Sequence, residues 1–467
     1  MMKKLIPLTA LTAALALAGC ANLAPEYKVP EVETPVAFKE GQGVWEPAKP
    51  ADTLERGPWW ELFGDPVLND LASRIEVSNQ NVAAAVAAYA QARAEVAEQR
   101  ATLWPTVNLN SSSSRSGTGG SNGSTRSSHQ VNIGASWEPD VFGRLRLGVQ
   151  SARAAEQASA ADLAAARLAA QGELAVNYFN LREAEISRAL QAETIEGYKR
   201  SLQIAKNRYE VGVVARTDVF QAESQLANAE AELLTLERQR AVFEHAIAVL
   251  VGRAASNFSL PADPKVKLNV PAIPPEVPST LLQRRPDVAA AERRVQQANN
   301  SIGVARSGYF PNIRLTGSAG FTAASIGDLF NASAFAWSLG SSLAQMIFDA
   351  GATSARVEQA RAGLEQASAR YRNVVLNAIA DVEDQLVALR VLEQQQVLRQ
   401  RAYEAAERVE QQVMNRYRAG QVGYTEVITA QNSAANARRA LVGAQIDRQV
   451  AAVALIQALG GGWTGLQ

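Results

Sequence analysis

Over long stretches of the chain, apolar residues recur at alternating spacings of three and four. Between 143 and 211 the positions Ile195, Tyr198, Leu202, Ala205 and Tyr209 fall on one stripe, and between 351 and 419 the positions Leu364, Ala367, Tyr371, Val374 and Ala378 repeat it. That spacing is the seam of a coiled coil. Each run predicts an uninterrupted helix of roughly 69 residues, about 100 Å long. A stripe of that length cannot be buried against one small core, so these helices must lie along others like them. Shorter helical patterns follow over 215–251 and 424–459, and an Ala-rich one runs from Val67 to Leu103.

The period changes from helical to two at two places. After Trp104-Pro105, Val107 and Leu109 alternate with polar residues, and Val131, Ile133, Ala135 and Trp137 do so again. This predicts a β-hairpin over about 104–142, with the Ser/Gly-rich stretch from Ser111 to Ser128 as a polar loop and His129 as part of that loop. A second hairpin is predicted over about 310–348. It opens on Phe310-Pro311, continues through Ile313, Leu315, Gly317, Ala319 and Phe321, and returns through Phe335, Trp337, Leu339 and Leu343. The residue before a proline is pushed out of the helical region, so each aromatic-Pro pair marks a helix-to-strand switch.

These elements occur twice. Arg208-Tyr209-Glu210-Val211-Gly212-Val213 returns as Arg416-Tyr417-Arg418-Ala419-Gly420-Gln421, each at the end of a long helix and just before a shorter one. A Gly there can take the left-handed cap conformation, so each copy is the tip of a helical hairpin. The layout that follows is repeat 1 over 66–260, a Pro-rich link over 261–280 and repeat 2 over 281–467. Ahead of them lies a Pro-rich arm, 20–65, whose Trp59-Trp60-Glu61-Leu62-Phe63 cluster either docks the arm on the body or lines a pocket. The fold class is mainly α with a transmembrane β part.

Residues 1–19 read as a signal peptide: Lys3-Lys4, an apolar run from Leu5 to Ala18, then Leu17-Ala18-Gly19-Cys20 as a lipobox. Cys20 is the single cysteine and is expected to carry covalent lipid at the mature N-terminus, with Ala21 favouring an outer-membrane address. No later apolar run approaches the ~20 residues of a spanning helix, so a membrane crossing must be made by strands. Lys and Arg balance Asp and Glu, which gives no electrostatic reason to expect nucleic acid. With two histidines, neither a paired-His metal site nor a Ser-His-Asp constellation is expected, no phosphate loop is found, and no cofactor is implied beyond the lipid. Asp381, Glu383 and Asp384 read as a solvated helix face.

Four strands cannot close a barrel, and an open edge in lipid leaves backbone groups unpaired. A trimer, with twelve strands and a lumen, is preferred to a dimer. Trp104, Trp137, Phe310, Phe321 and Trp337 suit interfacial girdles.

The lipobox, Trp59-Trp60 with Phe63 and Asp65-Pro66, Leu281-Leu282-Gln283-Arg284-Arg285-Pro286-Asp287-Val288, the doubled tips and the terminal Gly460-Gly461-Gly462-Trp463 together resemble the outer-membrane factor (TolC/OprM-like) family of tripartite efflux systems, its lipoprotein branch in particular. The resemblance implies a homotrimeric passive duct in which a β-barrel in outer-membrane lipid is continued by a periplasmic α-helical barrel. The duct would dock through Val211, Gly212, Val213, Ala419, Gly420 and Gln421 on a periplasmic adaptor (membrane fusion protein), itself joined to an inner-membrane RND pump that supplies the energy. A conduit for type I protein secretion and a poreless periplasmic lipoprotein scaffold are the alternatives. For the gate, the resemblance points to Thr217 and Asp218 on the first tip, held to Tyr417 on the second by a Tyr417 hydroxyl to Asp218 bond. Val422 stands where the family has an arginine, leaving Arg416 or Arg418 to replace it. Glu426 matches an acidic constriction position.

Overall fold

The structure, a computed structural model, describes residues 23–33, 35, 37–40, 58–119, 124–266, 268–271 and 285–461. The signal peptide, Cys20, half of the 261–280 link, Leu281 to Arg284 and Trp463 lie outside the described residues. The elements are α1 (Pro66–Ser78), α2 (Gln80–Ala101), β1 (Thr106–Gly117), β2 (Thr125–Trp137), α3 (Arg144–Glu210), α4 (Arg216–Leu250), α5 (Pro286–Arg306), β3 (Asn312–Ala323), β4 (Phe335–Ala344), α6 (Ala352–Arg418) and α7 (Tyr424–Ala458). Both long helices, α3 and α6, have 67 residues. The described residues divide into two compact units, one drawn from the spans Met1–Glu31, Ala88–Ala160 and Ala290–Asn373, the other from Val32–Ala87, Ala161–Ala289 and Val374–Gln467.

The first unit holds the strands, a four-stranded antiparallel sheet in the order β1-β2-β3-β4. The Ser-rich stretch after Asn110 is not loop. Ser111 to Gly117 extends β1 and pairs with Thr125 to Val131, so the ladder continues past the apolar rows into wholly polar ones. His129 accordingly sits in β2, 2.9 Å from Ser113 Oγ. Serine side chains can compete for the backbone locally and favour turns; here the partner strand supplies the hydrogen bonds instead. In the same unit the arm lies on α5 and α6. Leu23 O accepts from Arg306 Nη1 at 3.2 Å, Pro25 O from Asn299 Nδ2 at 2.9 Å and Glu31 O from Arg372 Nε at 3.3 Å.

The second unit contains the main core. Trp59–Phe63 is a single 3-10 turn whose Trp59, Trp60 and Phe63 are buried with Leu68, Leu71 and Ile75 of α1, Leu174 and Phe179 of α3 and Ile456 of α7. This is closed packing rather than a pocket wall. Trp59 Nε1 donates to Gln171 Oε1 at 3.2 Å, and Asp65 caps α1 by accepting from Val67 N at 2.8 Å while also accepting from the Tyr178 hydroxyl. The helical pattern from Val67 is broken once: Asn79 is extended at φ −70°, ψ 124°, and its Oδ1 accepts from Val82 N at 3.0 Å as the cap of α2. The Asp381–Asp384 stretch is more than a solvated face. Glu383 accepts from the backbone N–H groups of Lys39 at 2.6 Å and Glu40 at 2.9 Å, and Asp381 pairs with Arg285 at 3.1 Å. Those partners lie over 90 residues away in sequence, beyond what helical spacing can register.

Candidate functional site

Two surfaces carry the functional argument, and the first is the sheet. Its register places Leu109 opposite Ile133, Ile133 opposite Ala319 and Ala319 opposite Trp337, so the odd-numbered residues of all four strands share one face. That face is apolar over its lower rows, from Val107 on β1 and Trp137 on β2 to Phe321 on β3 and Phe335 on β4, yet Leu109 is 71% and Leu339 80% exposed. The even-numbered face carries Asn108, Asn110, Asn132, Thr316 and Ser318, with Thr106 Oγ1 2.9 Å from Ser136 Oγ and Ser318 Oγ 2.9 Å from Ser338 Oγ. A water-soluble antiparallel sheet covers its apolar face. Here the apolar face is open and the other is polar, which is the pattern of a barrel wall between lipid and a wet lumen. From Ile313 to Phe321 the apolar rows of β3 span about 27 Å along the strand, comparable with the ~25 Å band of outer-membrane barrels. Aromatic residues bound the band: Trp137 Nε1 donates to Leu103 O at 3.0 Å at one end, and Phe321 packs edge-on against Phe330 and Phe335 at 5.6 Å at the other.

The second surface lies at the helical tips. Both tips close in the same way. Gly212 at φ 73° lets Val213 N donate to Arg208 O at 2.8 Å, and Gly420 at φ 77° lets Gln421 N donate to Arg416 O at 2.9 Å. This is the Schellman cap, which a residue with a Cβ enters only under strain. Val211, Val213, Thr217, Ala419, Gln421 and Glu426 are exposed, with Val211 at 73%. Between the tips lies a small core of Ala205, Val219, Ala222, Tyr417, Tyr424 and Val427, with Val422 packed against it.

Tyr417 does not bond to Asp218. Its hydroxyl and that of Tyr424 are buried without a hydrogen-bond partner among the described residues, and the two rings meet at 5.4 Å. Burial pushes both phenols above their ordinary range, and the nearby Asp218 carboxylate adds to this in both. Nor do Arg416 and Arg418 replace the arginine missing at Val422, since both point to solvent. The cation on Tyr417 comes from the first tip: Arg208 lies 4.6 Å over its ring and donates from Nη1 to its carbonyl. Sequence reasoning missed Arg208 and Tyr424. The signal for Tyr424 was faint: it occupies the place that Arg216 holds in the first repeat, an aromatic ring where a charge stood.

A profile of the family described as "Outer membrane efflux protein" matches residues 71–253 and 277–461. The antibiotic efflux pump outer membrane protein ArpC of Pseudomonas putida is 31% identical, over 96% of this chain and 94% of its own. The cation efflux system protein CusC of Escherichia coli K12 is 29% identical, over 96% and 98%. Among solved structures, the open state of the Neisseria gonorrhoeae MtrE outer membrane channel superposes with a TM-score of 0.83 at 30% identity, covering 95% of this chain and 98% of that one.

Proposed function

The chain belongs to the outer membrane efflux protein family, as a channel protein and not an enzyme, and from that premise we propose that it is the gated exit duct of a tripartite efflux system. The observation that carries this is the two-faced sheet, exposed and apolar on one side, polar on the other, with β1 and β4 left as edges. Three copies joined β4 to β1 make a twelve-stranded barrel without a free edge, the condition for crossing lipid. Lipid on Cys20 adds a second anchor. Leu23, three residues on, is held by Arg306, six residues before β3 begins, which suits a lipid attached beside the barrel.

The tips are the adaptor-docking surface, since they combine small residues with exposed apolar ones, Val211 and Val213 foremost. A periplasmic adaptor engages them, and an RND-type pump in the inner membrane drives the flow. Tyr417 closes the periplasmic end through the apolar core of the tips, with Thr217 and Asp218 at its margin. Glu426, exposed in the first turn of α7, faces the passage as a cation-sensitive carboxylate. The cargo is the small toxic compounds, drugs or metal ions, that relatives are named for exporting.

The test is complementation. In a Gram-negative strain stripped of its own efflux channels, this chain with its pump and adaptor should lower ethidium accumulation, and in-cell crosslinking should yield trimers. Normal accumulation despite membrane-inserted trimers would exclude the efflux role, and recovery as soluble monomer would exclude the barrel.

A further inference from the structure

We propose that Arg208 couples docking at the first tip to closure of the second, a reading that rests on the gated duct proposed above. The duplicated Arg-Tyr pair is used in opposite ways in the two repeats. Tyr417 is 1% exposed and its neighbour Arg416 points to solvent, whereas Tyr209 is 43% exposed and its neighbour Arg208 turns inward. The Arg208 carbonyl accepts from Val213 N at 2.8 Å and so closes the cap of the first tip. Its guanidinium belongs to the second tip. Nη1 bonds the Tyr417 carbonyl, which also accepts from Gly420 N at 2.9 Å in that tip's cap. The same guanidinium covers the Tyr417 ring at 4.6 Å, and Nη2 lies 3.6 Å from where a Cβ on Gly420 would stand.

One residue therefore closes one cap with its backbone and braces the other with its side chain. Val211 and Val213, the exposed residues a partner would press on, are within five positions of it, and Val213 is bonded to it directly. A load on the first tip moves the backbone of Arg208 and withdraws the guanidinium from Tyr417. The second tip then loses a ring-face cation and a charge-assisted hydrogen bond together. Arg208 is a positioning residue: it acts on the gate through Tyr417.

Planar-bilayer recordings of purified trimers test this. Arg208→Ala should raise the open-to-closed ratio by about thirtyfold or more, the change that loss of one cation–π contact and one charged hydrogen bond together produces. Arg208→Lys, which keeps a donor but not the planar group, should fall between it and wild type. Gly212→Ala strains the first tip and should raise the open fraction when Arg208 is present but add nothing to Arg208→Ala, because both act through one contact. Val427→Asp, a carboxylate in the tip core, serves as an opening control that does not involve Arg208. If Val427→Asp opens the channel and Arg208→Ala does not, or if Gly212→Ala and Arg208→Ala add, the coupling is wrong and the duct stands. If Val427→Asp is silent as well, the gated duct fails and the coupling with it. Should Arg208→Ala yield no trimers, Arg208→Lys and Arg208→Gln carry the same comparison.

Discussion

Leu109 and Ile133 face each other across β1 and β2 with 71% and 55% of their surfaces exposed. A cross-strand pair of this kind is normally covered, and leaving it open in water forfeits about 1.5–3 kcal/mol per side chain. Lipid restores that burial. Leu109→Arg should therefore impair assembly, at about 2–4 kcal/mol if the site lies at mid-bilayer, whereas Asn108→Arg, one residue away on the polar face, should assemble normally and alter ion selectivity. Heat-modifiable trimers on gels read the first effect and reversal potentials the second.

Trp59 anchors the core of the second unit, edge-on to Trp60 at 5.9 Å and to Phe63 at 6.3 Å. Trp59→Ala should cost about 3–5 kcal/mol through lost burial and the cavity left behind. It also strands Gln171 Oε1. Thermal unfolding in detergent should show a lower midpoint, and Trp59→Phe should recover most of the loss.

Glu183 sits above the usual carboxylate range, chiefly through burial and then through the Asp447 carboxylate. A raised folded-state value means that the native chain holds its proton where the unfolded chain has released it, so stability falls as pH rises through that window. Glu183→Gln should raise the melting temperature at neutral pH and flatten the fall of stability with pH above the ordinary carboxylate range. An unchanged slope would place the titration elsewhere.

Gly212 and Gly420 serve both as caps and, in the proposed docking, as small surface residues. Among the described residues nothing lies within 4 Å of a Cβ at Gly212, so there its backbone angle is what resists substitution. Asn tolerates that angle. Gly212→Asn should keep trimer stability and reduce efflux only modestly, whereas Gly212→Trp should abolish efflux with trimers present. Equal loss of stability in both would reduce the glycine to a cap.

The elements were legible because their signals are local. The three-four spacing marked the long helices, the Phe310-Pro311 switch marked β3, and Gly212 and Gly420 marked the tips. What escaped depended on partners distant in sequence. Ser113 reads as loop until His129 is set beside it, Glu383 reads as solvated until Lys39 and Glu40 present their N–H groups, and Arg208 reads as a helix end until Tyr417 comes under its guanidinium. The Tyr417–Asp218 bond was expected from the family pattern. In this chain Val422 fills the arginine position with an apolar side chain, and Tyr417 is drawn into ring contacts with Tyr424 and Arg208 instead.

One sheet face is proposed to meet lipid and the other a water-filled lumen, and a cysteine scan along β3 separates the two. Cys20 is the only native cysteine, so a Cys20→Ser background is free of other thiols. Single cysteines at Leu315, Thr316, Gly317, Ser318, Ala319, Phe321 and Thr322, in trimers reconstituted into liposomes, are exposed to a charged, membrane-impermeant thiol reagent. Thr316, Ser318 and Thr322 should react and Leu315, Gly317, Ala319 and Phe321 should be protected, a period of two along the strand. Uniform reaction, or protection of the even positions, would contradict it.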